Sequence, residues 1–204
     1  ENSGLWLEER SDNTGRNDYS NSGEPFQFND FSVLVSNSYL KSHWAALYQT
    51  VSRANVVLSN IDGVSFSSND TKLGYAAEAK FLRALMYFHL VRQWGAVPLV
   101  TKQLTTSQEV TAYTFRVADT AVYAQIIADL KDVLESPLPN FQTGDRIGRA
   151  SKAAANGLLG QVYLTMAKTI DDGQSTAHLQ DAKTYLEACY NMRKFGQLRE
   201  IPYT

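Results

Sequence analysis

The stretch Ala76-Ala77-Glu78-Ala79-Lys80-Phe81-Leu82-Arg83-Ala84-Leu85-Met86-Tyr87-Phe88-His89-Leu90-Val91-Arg92-Gln93-Trp94-Gly95 decides the fold. Laid on a period of 3.6, Ala77, Phe81, Ala84, Phe88 and Val91 form one apolar stripe, and Ala79, Leu82, Met86 and Leu90 form a second on a different face. Two stripes predict two packing partners. Lys80, Arg83 and Tyr87 leave only a narrow polar seam between them, too little for a helix resting on one side of a core. The expectation is an interior helix sandwiched in a stack of helices. Gly95 ends it, and Val97-Pro98-Leu99-Val100 departs in an extended path, because proline cannot continue a helix and biases its predecessor toward extended geometry.

Outward from this stretch, helical spacing recurs. The set Leu34, Leu40, Trp44, Leu47, Tyr48, Val51, Ala54, Val57, Leu58 and Ile61 predicts a first helix from about Phe31 to Ile61, with Ser32 or Asp30 as its cap. A Ser/Asn/Asp loop, Val64 to Thr71, separates it from the central helix. The segment Gly95 to Phe115 reads as loop with room for one or two brief strands. A third helix runs from Val117 or Asp119 to Leu134, with Tyr123, Ile126, Ile127 and Leu130 inward. A fourth, Ser151 to about Lys168, carries Ala153, Gly157 and Gly160 as a groove of small residues that lets a neighbouring backbone approach. Asp171-Asp172-Gly173 turns the chain, and a fifth helix spans about Ala177 to Lys194, with Gly196 as a left-handed cap.

Residues 1–31 form a separate irregular segment, polar but dotted with Trp6, Tyr19, Phe26, Phe28 and Phe31. Such aromatics either pin a loop to the body or line a binding surface; both readings stay open. Residues 32–204 form the helical scaffold. Within it, Trp44-x2-Leu47 with Ala77-x3-Phe81-x2-Ala84, and Leu159-Gly160-x2-Tyr163 with Ala182-x3-Leu186-x2-Cys189, resemble the two halves of tetratricopeptide repeats with lengthened loops. The predicted fold is mainly all-α, a right-handed stack of tetratricopeptide-like helix pairs with long loops and at most one short hairpin.

The totals exclude several function classes. A net charge of -2 with no basic run argues against nucleic acid and against anionic lipid. The single cysteine, Cys189, cannot form an internal disulfide and reads as a small core residue. No window approaches the roughly 18 apolar residues of a membrane span. The three histidines, His43, His89 and His178, include no pair at metal-ligand spacing, so no metal is expected. Nor does the chain carry a G-x-S-x-G elbow, an H-E-x-x-H helix or a phosphate-cradling glycine loop, so no cofactor and no catalysis are expected. Beginning at Glu1 without methionine, the chain reads as processed or excised from something longer.

Several segments taken in order resemble the SusD/RagB family of Bacteroidetes outer-membrane glycan-binding lipoproteins. The match is carried by Trp44-x3-Tyr48-x4-Arg53-Ala54-Asn55, by Ala77-Glu78-Ala79-Lys80-Phe81-Leu82-Arg83-Ala84-x2-Tyr87-Phe88 with its exit Trp94-Gly95-x-Val97-Pro98-Leu99, by Tyr123-x2-Ile126-x2-Asp129-Leu130, and by Gly148-Arg149-Ala150-x2-Ala153-Ala154 with Val162-Tyr163-Leu164. The resemblance implies a non-enzymatic surface lipoprotein of the outer membrane that binds oligosaccharide or polysaccharide nutrients. Their uptake would run through a partner TonB-dependent transporter of the SusC type. Membrane attachment would come only through an N-terminal lipid, whose cysteine this chain lacks. Family members continue into a further C-terminal portion, so the chain reads as the scaffold part.

Sugar recognition needs flat apolar faces for the ring and planar polar groups for paired hydroxyls. Asp12, Asn13, Arg16, Asn17 and Tyr19 offer that set within eight residues and are the candidate ligand-binding residues. In SusD-like proteins the Ser-Asp pair before the first scaffold helix, here Ser11-Asp12, lies in the region that contributes to the glycan face. Trp44, Tyr48, Asn55, Phe81, Arg83, Ala84, Phe88, Trp94, Gly160 and Tyr163 are read as scaffold. A peptide-binding tetratricopeptide module is the alternative, and a glycan-active enzyme with two converging carboxylates a more distant one.

Overall fold

A computed structural model describes residues 23–24 and 26–193. Among them are seven α-helices, two short 3-10 turns and one two-stranded ribbon: α1 (Phe26–Asn29), α2 (Ser38–Asn60), α3 (Asn69–Trp94), β1 (Val97–Pro98), α4 (Ser107–Ala112), β2 (Arg116–Val117), α5 (Asp119–Glu135), α6 (Lys152–Thr169) and α7 (Ser175–Asn191). The protein is mainly helical. The chain divides into two compact units, residues 1–49 and 50–204, with the boundary inside α2.

In the first unit the start of α2 is set by Asn37. Its side-chain carbonyl accepts from the amides of Tyr39 (3.0 Å) and Leu40 (3.3 Å), while its Nδ2 donates to the Glu24 carbonyl and to Gln27 Oε1, both at 2.9 Å. The helix therefore begins seven residues later than apolar spacing suggested. Asp30 and Ser32, the expected caps, bond each other instead: Asp30 Oδ1 accepts from the Ser32 amide at 2.9 Å, a local turn that competes with helix. Within the first half of α2, the Trp44 and Tyr48 rings meet at 4.9 Å between centroids.

In the second unit α3 starts at Asn69, inside the stretch that reads as loop, because Ser68 Oγ accepts from the Thr71 amide at 3.1 Å. Gly95 ends it with φ of +65°, a backbone setting that favours glycine, and its amide donates to the Val91 carbonyl. The chain then forms β1, which pairs antiparallel with β2, Val97 opposite Val117 and Pro98 opposite Arg116. Between the strands lies α4, which the sequence reading did not foresee. It is held by a reciprocal cap in which Thr106 accepts from the Glu109 amide and Glu109 bonds back to the Thr106 amide.

The long helices pack in sequence order of contact: α3 along α5, α5 on α6, and α6 most extensively on α7. The α6–α7 seam depends on its small residues. A Cβ built on Gly160 would lie 2.4 Å from Leu186 Cγ and 3.3 Å from the Ala182 carbonyl oxygen, and one on Gly157 would touch Cys189 Sγ at 3.4 Å. Further along the same seam Tyr163 stacks on Tyr185, with centroids 5.7 Å apart and planes 2° from parallel. The helix α7 is described to Asn191, and Gly196, its expected cap, lies outside the described residues.

The polar seam expected on α3 is where burial departs most from the sequence reading. Tyr87 is fully buried and Arg83 nearly so, whereas Leu82, assigned to an inward stripe, is 44% exposed. The reason lies in the neighbours. Helix α5 supplies a carboxylate that lets Arg83 go inside, while among the described residues no packed helix covers Leu82.

Candidate functional site

The proposed sugar-binding residues Asp12, Asn13, Arg16, Asn17 and Tyr19 lie outside the described residues. Within the second unit two places concentrate chemistry, one on each side of α3.

The first is a buried polar clamp. Arg83 reaches across from α3 to α5 and donates two hydrogen bonds to Asp129, Nε to Oδ2 at 2.8 Å and Nη2 to Oδ1 at 2.7 Å. Its Nη1 donates to Asn55 Oδ1 of α2 and to the Thr101 carbonyl, both at 2.8 Å. Asn55 Nδ2 in turn donates to the Val100 carbonyl at 2.9 Å, and Gln125 Nε2 donates to Asp129 Oδ1 at 3.0 Å. The Tyr87 hydroxyl accepts from the Val100 amide (2.6 Å) and donates to the Val100 carbonyl (2.9 Å). Burial pushes the Tyr87 hydroxyl up to about 12, against the lowering pull of its Val100 bond and of Arg83. Four guanidinium N–H groups are thus spent on protein acceptors. A bidentate pair so enclosed ties three helices to the extended segment after Gly95, and it leaves only one of the five guanidinium N–H groups over.

The second place is an open groove of about 650 Å³ between the second half of α2 and α3. Its walls include Val56, Val57, Ile61, Val64, Phe66, Tyr75 and Leu82. At one end Phe66 and Tyr75 stand 6.0 Å apart, centroid to centroid, and the guanidinium groups of Arg149 and Arg146 lie 5.8 and 6.0 Å from the Tyr75 ring centre. Glu78, on the wall, is held by Arg149, whose Nε donates to Oε1 at 2.9 Å and whose Nη2 donates to Oε2. This pair raises the Arg149 guanidinium above its ordinary value. Asn60 Nδ2 donates to the Val56 carbonyl at 2.8 Å and to Gln103 Oε1 at 2.6 Å. Arg53, exposed on the rim, has no ion pair or hydrogen bond among the described residues.

Other charged groups join helices or turns. Lys80 of α3 pairs with Asp132 of α5. Asp172, in the turn before α7, accepts from the Gln174 amide at 2.8 Å and meets His178 Nε2 at 2.9 Å, and the His178 contact holds the Asp172 carboxyl below its ordinary value. Among the described residues no group of three or more His, Cys, Asp or Glu side chains is arranged to hold a metal ion, and no helix is long and apolar enough to cross a membrane.

The sequence reading placed Asn55 and Arg83 in the scaffold but did not single out Asp129, Gln125 or Tyr87 as their partners. A signal existed for one of them. Asp129 shares a helix face with Val122, Ile126 and Val133, and a carboxylate on an inward face requires a buried cation opposite. Nothing comparable marks the groove, since apolar residues on a helix wall read as core whether or not a partner covers them.

The chain is similar to known proteins over most of its length. The family model described as SusD-like, starch-binding associating with outer membrane, matches residues 5–164. SusD-like protein P2 of Formosa agariphila is 32% identical over 156 residues, covering 76% of this chain and 30% of that protein. A solved laminarin-binding SusD-like protein superposes with a TM-score of 0.67 at 33% identity, over 80% of this chain and 34% of that one. A crystal structure with xylogluco-oligosaccharide superposes with a TM-score of 0.68 at 29% identity, over 80% of this chain and 32% of that one. The chain thus spans about a third or less of the length of the relatives it matches.

Proposed function

The chain belongs to the SusD-like family, and we propose that it is the scaffold portion of a non-catalytic, outer-membrane-associated glycan-binding protein. In this reading residues 32–204 are a tetratricopeptide-like frame that holds a recognition surface. The irregular segment 1–31 supplies part of that surface through Asp12, Asn13, Arg16, Asn17 and Tyr19. The ligand is an oligosaccharide or polysaccharide nutrient, and the captured glycan passes to a SusC-like TonB-dependent transporter. A lipid at the N-terminus of the mature lipoprotein attaches it to the outer membrane.

The observation that carries the reading is the family match over residues 5–164, supported by solved relatives that bind laminarin or hold a xylogluco-oligosaccharide. The clamp described above suits a frame rather than a reaction centre, because its charged groups are consumed in holding helices together. Trp44, Tyr48, Phe81, Ala84, Phe88, Trp94, Gly160 and Tyr163 complete the frame in this reading.

The test is affinity electrophoresis of the full-length protein through gels cast with laminarin, xyloglucan or starch. Retarded migration on at least one of them is expected. Asp12→Ala and Arg16→Ala should each weaken it about tenfold, the scale of one charge-assisted hydrogen bond. Release of reducing ends would instead identify an enzyme, and capture of peptides without any sugar response would identify a tetratricopeptide-type module.

A further inference from the structure

We infer that Phe31 is a stacking platform for one pyranose ring of a neutral oligosaccharide, and that the adjacent Asp30 carboxylate accepts hydrogen bonds from the sugar's hydroxyls. The inference rests on the glycan-binding reading above and names a contact within it. Three observations carry it.

The first is backbone conformation. Among the described residues Phe31 is the only one other than glycine with a positive φ, +61°. That setting crowds the Cβ against the following carbonyl; glycine and asparagine adopt it readily, a bulky ring does not. The surrounding loop enforces it. On one side Asp30 Oδ1 accepts from the Ser32 amide at 2.9 Å and from the Ser32 hydroxyl at 2.5 Å. On the other, Gln27 Oε1 accepts from the Leu34 amide at 3.1 Å and from Asn37 Nδ2 at 2.9 Å. Strain held in place by its surroundings in this way clusters at ligand sites.

The second is exposure. Aromatics in this segment either pin it or line a surface, and two of them divide the roles. Phe28 is 1% exposed and acts as the pin, whereas Phe31, three residues on, is 64% exposed. Burial therefore does little to offset the strain at Phe31. Leu34 and Val35 of the same loop are exposed as well. A rigid loop that holds an aromatic ring toward water presents it for contact.

The third is chemistry. A pyranose offers an apolar C–H face and paired hydroxyls, which a flat ring and a fixed acceptor match. Asp30 supplies the acceptor. The Ser32 hydroxyl and amide hold its carboxyl below the ordinary value, so it stays ionised and can only accept. Its Oδ2 has no hydrogen-bond partner among the described residues. A carboxylate at the platform repels the carboxylate or sulfate of an acidic glycan, and this favours a neutral one.

The experiment pairs affinity electrophoresis with urea unfolding, both on the full-length protein. Phe31→Asn suits the backbone and removes the ring. Its unfolding midpoint should equal or exceed the parent's, while retention on the laminarin, xyloglucan or starch gel that retards the parent weakens about tenfold. Phe31→Leu keeps apolar bulk without a flat face and should lose retention as much, whereas Phe31→Trp should keep it. Asp30→Asn, which removes the charged acceptor, should weaken retention about tenfold as well. On a gel cast with polygalacturonate the parent should be retarded less than on the neutral glycan. Full retention by Phe31→Asn or Phe31→Leu would overturn the inference, and so would stronger retention of the parent on polygalacturonate. A midpoint lowered by Phe31→Asn would overturn it too, because the ring would then be a second pin. The parent's own migration separates the two failures: a retarded parent with equally retarded Phe31 variants sinks only the inference, and a parent retarded on no gel sinks the glycan reading and the inference with it.

Discussion

The two flanks of α3 have nearly the same apolar character and opposite fates. Toward α5 the helix is closed: Ala84, Phe88 and Val91 are buried, and the flank includes an ion pair between Arg83 and Asp129 whose side chains are almost entirely shut from water. Toward the second half of α2 it is open: Leu82 and Tyr75 face the groove, and the ion pair there, Glu78 with Arg149, has its cation 42% exposed. Apolar periodicity says that a face needs a partner. Whether the partner is present, and what polar groups it brings, is a property of the other element.

The sharpest way to break this comparison is to remove the anion on the closed flank. Asp129→Ala should cost about 3–5 kcal/mol in urea unfolding, since it leaves the Arg83 charge buried and unpaired. Joining Arg83→Met to Asp129→Leu should recover most of that loss. A cost below about 1 kcal/mol for Asp129→Ala would mean that the closed flank is held by apolar contact alone.

Gly160→Ala asks whether a closed seam elsewhere obeys the same rule of close fit. The new methyl group meets Leu186, so a loss of about 1–3 kcal/mol is expected, and Leu186→Ala in the same chain should relieve it. Tyr87→Phe should cost about 1–2 kcal/mol by leaving the half-buried Val100 amide without its acceptor. The same substitution has a pH signature. The folded Tyr87 hydroxyl is pushed up to about 12, above the ordinary 10 of the unfolded chain. Its contribution is fully present below pH 10 and is lost as pH rises toward 12, because the unfolded chain ionises first. Tyr87→Phe should therefore flatten the fall in stability over that range. A residual slope should remain from Tyr163, which burial also pushes up to about 12.

The smallest effect belongs to the open flank. Leu82→Ala in the 204-residue chain should cost less than about 1 kcal/mol, where a fully buried leucine costs about 2–5. A larger loss, measured by the same unfolding assay, would show that this flank is closed already.

Much of the fold was legible where the signal is local. The Gly95 stop, the start of the fourth helix at about Ser151 and the Ala153, Gly157 and Gly160 stripe all act within a turn or two of the chain or on the nearest neighbour. Two local signals were present but overlooked: Asn37 as the cap of α2, and the Thr106 to Glu109 box that makes α4. Lys80, Arg83 and Tyr87 were legible only as polar residues on an apolar helix. Their sorting into one surface pair, one buried charge and one buried hydroxyl required Asp132, Asp129 and the Val100 backbone to arrive from elsewhere. For the candidate site, the sequence pointed to a segment that lies outside the described residues, and the groove carried no mark of its own.

What the sequence by itself determined is the five long helices and the faces that avoid water, because hydrogen bonding along a helix and the turning of side chains about it are decided by residues three or four apart. The tertiary structure alone decided which of those faces are satisfied. Arg83 meets Asp129 across 46 positions of chain, and the energy of a buried charge or an apolar wall is set by whatever stands opposite, a quantity that no local pattern contains.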